Sequence, residues 1–325
     1  MPSLSRLRPD AFTLTLIATV GVATVLPCRG EAVSLFSATT HAAIALLFFL
    51  HGARLSRSAI LAGLTNWRLH LTVLASTFVL FPLLGWGLRG VLAGWMEPGL
   101  LQGFLFLCLL PSTVQSSIAF TSMAGGNVVA AICSASLSNL LGVVLTPVLV
   151  GLLMHLQGGG VSGRAVGAIF VQLFIPFLAG HLVRPWVGAW IERQRKLLSL
   201  VDRGSILLVV YTAFSEAVVN GLWQQLGLKD VVLLGGLSAA LLAAILVLTT
   251  LASRGLGFSR QDEITLVFCG SKKSLASGVP MASVLFPVSS VGAIVLPLML
   301  FHQIQLMVCA VLARRYAQQG LAKEG

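Results

Sequence analysis

The sequence predicts an all-α polytopic membrane protein of ten transmembrane helices, built as a 5+5 inverted-topology repeat in which spans 4 and 9 are broken. Three observations predict it. The chain has 325 residues, 57% hydrophobic and only 10% charged, where a soluble domain carries roughly 25% charged residues. Its apolar runs recur at the roughly 20 residues a helix needs to cross the hydrocarbon. The basic residues between those runs alternate in number from one connection to the next.

The elements follow in order. Span 1, about 11–27, comes after Arg6 and Arg8 as a signal peptide would. It lacks a clear small-x-small cleavage site and further spans follow, so it reads as a transmembrane helix. Spans 2 and 3 are about 35–52 and 69–92. Span 4, about 99–124, is interrupted near Pro111, and span 5 is about 127–155. Span 6 is about 164–187, span 7 about 204–223 and span 8 about 230–252. Span 9, about 262–284, is interrupted near Gly270, and span 10 is about 289–313. The halves, about 11–155 and 164–313, are nearly equal and form one transmembrane domain over 1–325. Five spans per half make the second half enter from the opposite side, the mark of an inverted repeat. Each half has its polar interruption in its fourth span, PSTVQSS at 111–117 and GSKKS at 270–274, and a proline inside its fifth, Pro147 and Pro297.

With the N-terminus placed in the cytoplasm, fifteen of the 21 Lys and Arg fall on the inside, among them Arg6, Arg8, Arg54, Arg57, Arg203, Arg254 and Arg315. Four fall outside: Arg29, Arg89, Arg164 and Lys229. This positive-inside bias puts both termini in the cytoplasm, and the membrane expected is the plasma (inner) membrane. It also accounts for the net charge of +11 without nucleic acid as a partner, leaving the lipid bilayer as the surrounding medium. Five of six tryptophans sit near span ends, as an interfacial belt requires. The five cysteines show no metal-ligand or disulfide spacing and read as small core residues.

The two basic residues left over are Lys272 and Lys273, inside ITLVFCGSKKSLASGVPMASVLFP (264–287). A lysine at mid-bilayer costs about 2.5–3.5 kcal/mol on insertion scales. Either the pair flanks the membrane, with span 9 starting at Leu275, or the helix breaks there and a wet site accommodates both. Non-helical backbone at membrane depth must line a cavity or be buried in protein, and broken helices at matching positions of two halves point to a transporter's binding site. The candidate ligands are Thr113, Gln115, Ser116 and Ser117 at the first break and Ser271, Lys272, Lys273 and Ser274 at the second. Sodium is a possible occupant near Gln115, Ser116 and Ser117; no metal site is otherwise assigned. The alternative for span 4 is an ordinary proline-kinked helix. Glu216, the one acidic residue placed inside a span, is an ion ligand or merely a partner of Asn220. His302 and Gln303 open a polar patch in span 10, and Gln305 shares a face with His302, suited to interhelical hydrogen bonds or substrate contact. Asn127 contributes to the site or caps the helix that follows it. No catalytic constellation is visible, so the chain does not read as an enzyme.

LPSTVQSSIAFTSMAGGNVVAAICSASLSNLLGVVLTPVL (110–149) resembles the broken fourth span and next helix of the bile acid:sodium symporter superfamily. FCGSKKSLASGVPMA (268–282) and LPLMLFHQIQLM (296–307) resemble its SBF-like subgroup of sodium-dependent transporters related to solute carrier family 10 member 7. The resemblance implies a mobile core of spans 3–5 and 8–10, a panel of spans 1, 2, 6 and 7, and a substrate site where the two broken helices cross. In classical members the second break supplies a Glu and Gln/Asn-type ligands for sodium. Here it reads Phe268 to Ser274, with two cations and no carboxylate.

The function expected is secondary active, symporter-like transport of a small organic, anionic solute by alternating access. It would be coupled to sodium or protons, with no other cofactor. One lysine ammonium would occupy the sodium's place, bridging carbonyls of the first half-helix and hydroxyls of span 4. The other would attract the solute's negative group. An ion channel, or a membrane scaffold acting on ion homeostasis, are the alternatives.

Overall fold

The computed structural model describes residues 11–54, 66–154 and 163–324. Arg6, Arg8 and Arg57 of the charge count lie outside the described residues. Among these residues the protein is helical throughout, without strands. The helices of nine or more residues are α1 (Ala11–Val25), α2 (Ala32–Arg54), α3 (Trp67–Leu92), α4 (Pro98–Leu109), α5 (Gln115–Met123) and α6 (Val128–Leu153). They continue with α7 (Gly163–Arg193), α8 (Arg195–Val219), α9 (Leu228–Gly255), α10 (Arg260–Gly270), α11 (Leu275–Leu285) and α12 (Val288–Glu324). Six of them, α2, α3, α6, α8, α9 and α12, are long and apolar enough to cross a membrane. The chain is an integral membrane protein.

Two boundaries and one helix interior differ from the sequence reading. Helix α8 begins at Arg195, not near 204, because nothing in RKLLSLVDRG breaks a helix and Leu198 and Asp202 are already buried against the protein. Asp202 therefore lies inside a helix, and Glu216 is not the only carboxylate there. Helix α12 continues to Glu324, with Tyr316 donating from its hydroxyl to Glu263 at 3.1 Å. Helix α3 carries one π turn over Ser76–Leu80, where the Phe81 N–H donates to the Ser76 carbonyl five residues back.

Both interruptions are true breaks. Pro111 forbids the α conformation to the residue before it, and Leu110 is extended (φ −79°, ψ 156°), so α4 stops. The second break has no proline. The Ser274 side chain caps α11 by accepting from the Ser277 N–H at 3.1 Å, and this starts a new helix instead of continuing α10.

Helices α1, α2, α7 and α8 pack on one another, while α3–α6 pack with α9–α12. The α2–α7 contact is backbone to backbone. A Cβ added at Gly52 would fall on the Phe177 carbonyl, and one at Gly180 on the Phe49 carbonyl, the close approach small residues permit between apolar helices. The two groups meet along α8–α12, α8–α11 and α6–α7. A cavity of about 420 Å³ lies where they meet.

Candidate functional site

The two breaks touch. The Ser274 N–H donates to the Pro111 carbonyl at 2.9 Å, and the Ser112 hydroxyl donates to the Cys269 carbonyl at 2.6 Å. The Ser117 hydroxyl reaches the Phe268 carbonyl at 3.1 Å. From α6, Asn139 ties both breaks together: its Nδ2 donates to the Ser112 carbonyl at 2.7 Å and its Oδ1 accepts from Ser277 at 2.8 Å.

Helix ends leave carbonyls without partners, and in an apolar setting each needs one. At the end of α10 these are side-chain hydroxyls: Ser117 serves Phe268, Ser112 serves Cys269, and Ser76 serves Gly270 at 2.9 Å. At the end of α4, Thr146 serves Leu109 at 2.8 Å. The Cys108 and Leu110 carbonyls receive the ammonium of Lys273, at 2.9 and 2.7 Å. Its third N–H goes to the Thr77 carbonyl at 2.8 Å. That carbonyl is available because of the π turn: in its register the donor to Thr77 would be Pro82, which has no N–H. The Phe81 ring lies 4.1 Å from the same Nζ. Gln305 fixes the lysine's backbone from α12, accepting from the Lys273 N–H and donating to its carbonyl, both at 3.0 Å. Gln305 thus makes an interhelical bond, and it also contacts His302 Nδ1 at 2.8 Å.

Lys272 is held differently. Its Nζ donates to the Ser116 carbonyl at 3.0 Å and sits 3.8 Å from the Phe120 ring and 5.7 Å from the Phe268 ring. A desolvated cation–π contact is worth about 2 kcal/mol. Both lysines are 0% exposed, so neither is a solvated flanking side chain. Neither forms an ion pair with a carboxylate among the described residues. The ammonium of Lys273 is satisfied by three carbonyls, and charge-assisted bonds contribute about 1.5–3 kcal/mol each. Such carbonyls would otherwise be ligands for a hard cation. With the ammonium at 2.7–2.9 Å from all three, this arrangement does not fit a sodium ion at the same point.

Of the twelve candidate residues, Thr113, Gln115, Ser116, Ser274 and His302 line the cavity. Thr113 Oγ1 is 2.8 Å from Ser116 Oγ and 3.0 Å from Ser117 Oγ. Ser117, Ser271, Lys272 and Lys273 are buried and do not line the cavity. The expectations of a lysine facing the solute, and of an ammonium bridging span-4 hydroxyls, therefore find no counterpart in the geometry. The ammonium groups are used up on carbonyls and rings. Asn127 caps α6, accepting from the Ala130 N–H at 3.0 Å, and donates to Asp262 at 3.0 Å. Half-buried Glu216 receives Asn220 Nδ2 at 3.4 Å and forms no ion pair with the lysines. Gln303 lies off the cavity wall.

The rest of the wall carries charge that the sequence reading assigned to loops. Arg54 forms an ion pair with Asp202, and Arg203 lies 5.5 Å above the Phe12 ring. All three line the cavity, as do Ser199 and Ile206. The signal was present: positions 199, 202, 203 and 206 fall on one helical face.

The family model described as the SBF-like CPA transporter family (DUF4137) matches residues 10–318. The chain is 61% identical over 318 residues to the uncharacterized protein PA2026 of Pseudomonas aeruginosa, covering 98% of this chain and 96% of that protein. It is 59% identical over 315 residues to a candidate symporter of Escherichia coli strain K12, YfeH, covering 95% and 93%. It is 30% identical over 325 residues to sodium/bile acid cotransporter 7 of Xenopus tropicalis, covering 96% and 93%.

Proposed function

The chain belongs to the SBF-like CPA transporter family, a family of transporters and not of enzymes, and from that premise we propose that it is a secondary transporter moving a small organic anion by alternating access. The ten spans would form the 5+5 inverted repeat, with both termini in the cytoplasm of a plasma (inner) membrane. Spans 3–5 and 8–10 would move as a core against a panel of spans 1, 2, 6 and 7. The packing of α3–α6 with α9–α12, apart from α1, α2, α7 and α8, supports this division. The cavity reaches Arg54 and Arg203, which the charge count assigns to the inner side, and this supports an inward-open state.

The observation that carries the proposal is the pair of broken helices meeting beside a 420 Å³ cavity, with the ends of α4 held by the Lys273 ammonium. A name such as sodium/bile acid cotransporter implies a sodium ion in the relative. In this chain a tethered cation stands among carbonyls that would suit such an ion, which supports protons over sodium as the coupling ion. Uptake of labelled organic anions, taurocholate among them, into proteoliposomes with sodium replaced by choline across a pH series tests this. Uptake that survives choline and responds to pH is expected. Strict sodium dependence without a pH response refutes the coupling, and absence of uptake under every condition refutes transport.

A further inference from the structure

The lysines are committed behind the wall, so an anion in the cavity meets other cations: Arg54, the last residue of α2, and Arg203 on α8. Arg203 is stacked on Phe12. Arg54 is paired with Asp202 and stands at the junction of two cavities, since both residues also line an adjoining space of about 390 Å³. The Arg54 side chain is 29% exposed. The Asp202 side chain is 13% exposed, and its Oδ1 is buried without a hydrogen-bond partner among the described residues. The pair thus leaves one carboxylate oxygen unpartnered among the described residues, on a residue that lines both cavities. The remaining wall is largely apolar, including Phe48, Phe177, Leu275 and Met281.

We infer that Arg54 binds the anionic group of the solute and that Asp202 is its resident competitor, displaced when it takes up a proton. This rests on the transport reading above and adds the solute's class, an amphipathic monoanion, and the place of the coupling proton. The balance is simple. A proton from the cavity water adds to the Asp202 carboxylate, the guanidinium of Arg54 loses its partner, and the solute anion replaces it. One proton and one anion enter together, and the site's net charge is unchanged. Release of both restores the Arg54–Asp202 pair. Among the described residues, the other charged or titratable groups around the pair are His51 on α2, Arg203 on α8, Arg184 and Glu192 on α7 (3.9 Å apart), and His302 on α12 across the cavity. Helix α5 contributes the uncharged Gln115.

The test is equilibrium binding of 2-naphthalenesulfonate, an anion at every pH used, to the purified protein in nanodiscs between pH 5.5 and 8. With one proton taken up per anion bound, wild-type binding tightens by about tenfold per pH unit of acidification. Asp202→Asn, a neutral mimic of the protonated acid, binds tightly and without a pH slope. The charge-balanced double variant Arg54→Ala/Asp202→Asn loses that binding by at least tenfold. His51→Gln and His302→Gln keep the wild-type slope. The inference is overturned if Asp202→Asn retains the slope, if either histidine variant abolishes it, if the double variant binds as well as Asp202→Asn, or if the wild type does not bind the probe at pH 5.5. Because binding is read without transport, the two failures separate. Intact linkage with no vesicle uptake sinks the transport reading, and uptake without linkage sinks this one.

Discussion

Replacing Lys273 by alanine tests the reading of the second break most directly. The substitution removes one ammonium and strands three buried carbonyls, those of Thr77, Cys108 and Leu110. A buried acceptor left unpaired costs about 1–3 kcal/mol, so the stranded set costs roughly 3–9 kcal/mol. Relief from burying the ammonium returns several kcal/mol of desolvation, leaving a net loss of about 3 kcal/mol. The vacated point is still ringed by carbonyls suited to a small cation. Thermal unfolding of purified wild type and Lys273→Ala, each in sodium chloride and in choline chloride, reads both effects. The wild type should melt at one temperature in the two salts. The variant should melt lower and recover about 1.4 kcal/mol in sodium at tenfold excess over its Kd. A variant as stable as wild type would show that Lys273 does not hold the end of α4. A destabilised variant blind to sodium would show that the carbonyls do not converge on a cation position.

Three further outcomes follow from the same geometry. Lys272→Met removes one carbonyl bond and the Phe120 contact, and should cost about 1–3 kcal/mol by thermal unfolding with no gain of sodium response, unlike Lys273→Ala. Gln305→Leu frees both backbone groups of Lys273; a loss of about 2–3 kcal/mol is expected in the same assay, with faster amide exchange at Lys273 by mass spectrometry. Gly52→Ala and Gly180→Ala place a methyl on the Phe177 and Phe49 carbonyls, and each should separate α2 from α7. Size-exclusion yield should fall steeply, while Gly236→Ala on α9, where nothing lies within 4 Å of the added Cβ, remains at wild-type yield.

What the sequence alone determined follows from local chemistry. Bilayer-length apolar runs require helices that satisfy their own backbone, and Pro111 bars its predecessor from the helix, so the membrane class and the first break could be read without coordinates. Lys272 and Lys273 stood out for the same reason, since a charge in an apolar run must be answered for. Tertiary structure alone decided which groups do the answering. The partners of Lys273 are carbonyls of α3 and α4, more than a hundred residues away and carried by every residue type. No side-chain pattern marks them, and the availability of Thr77 depends on a π turn meeting Pro82. The same limit hid Asp202: a residue at the head of an apolar run reads as loop until packing shows which face it turns inward. Composition specifies what a bilayer will accept, while the chemistry at the breaks depends on which distant backbone groups the packing brings within 3 Å of a side chain.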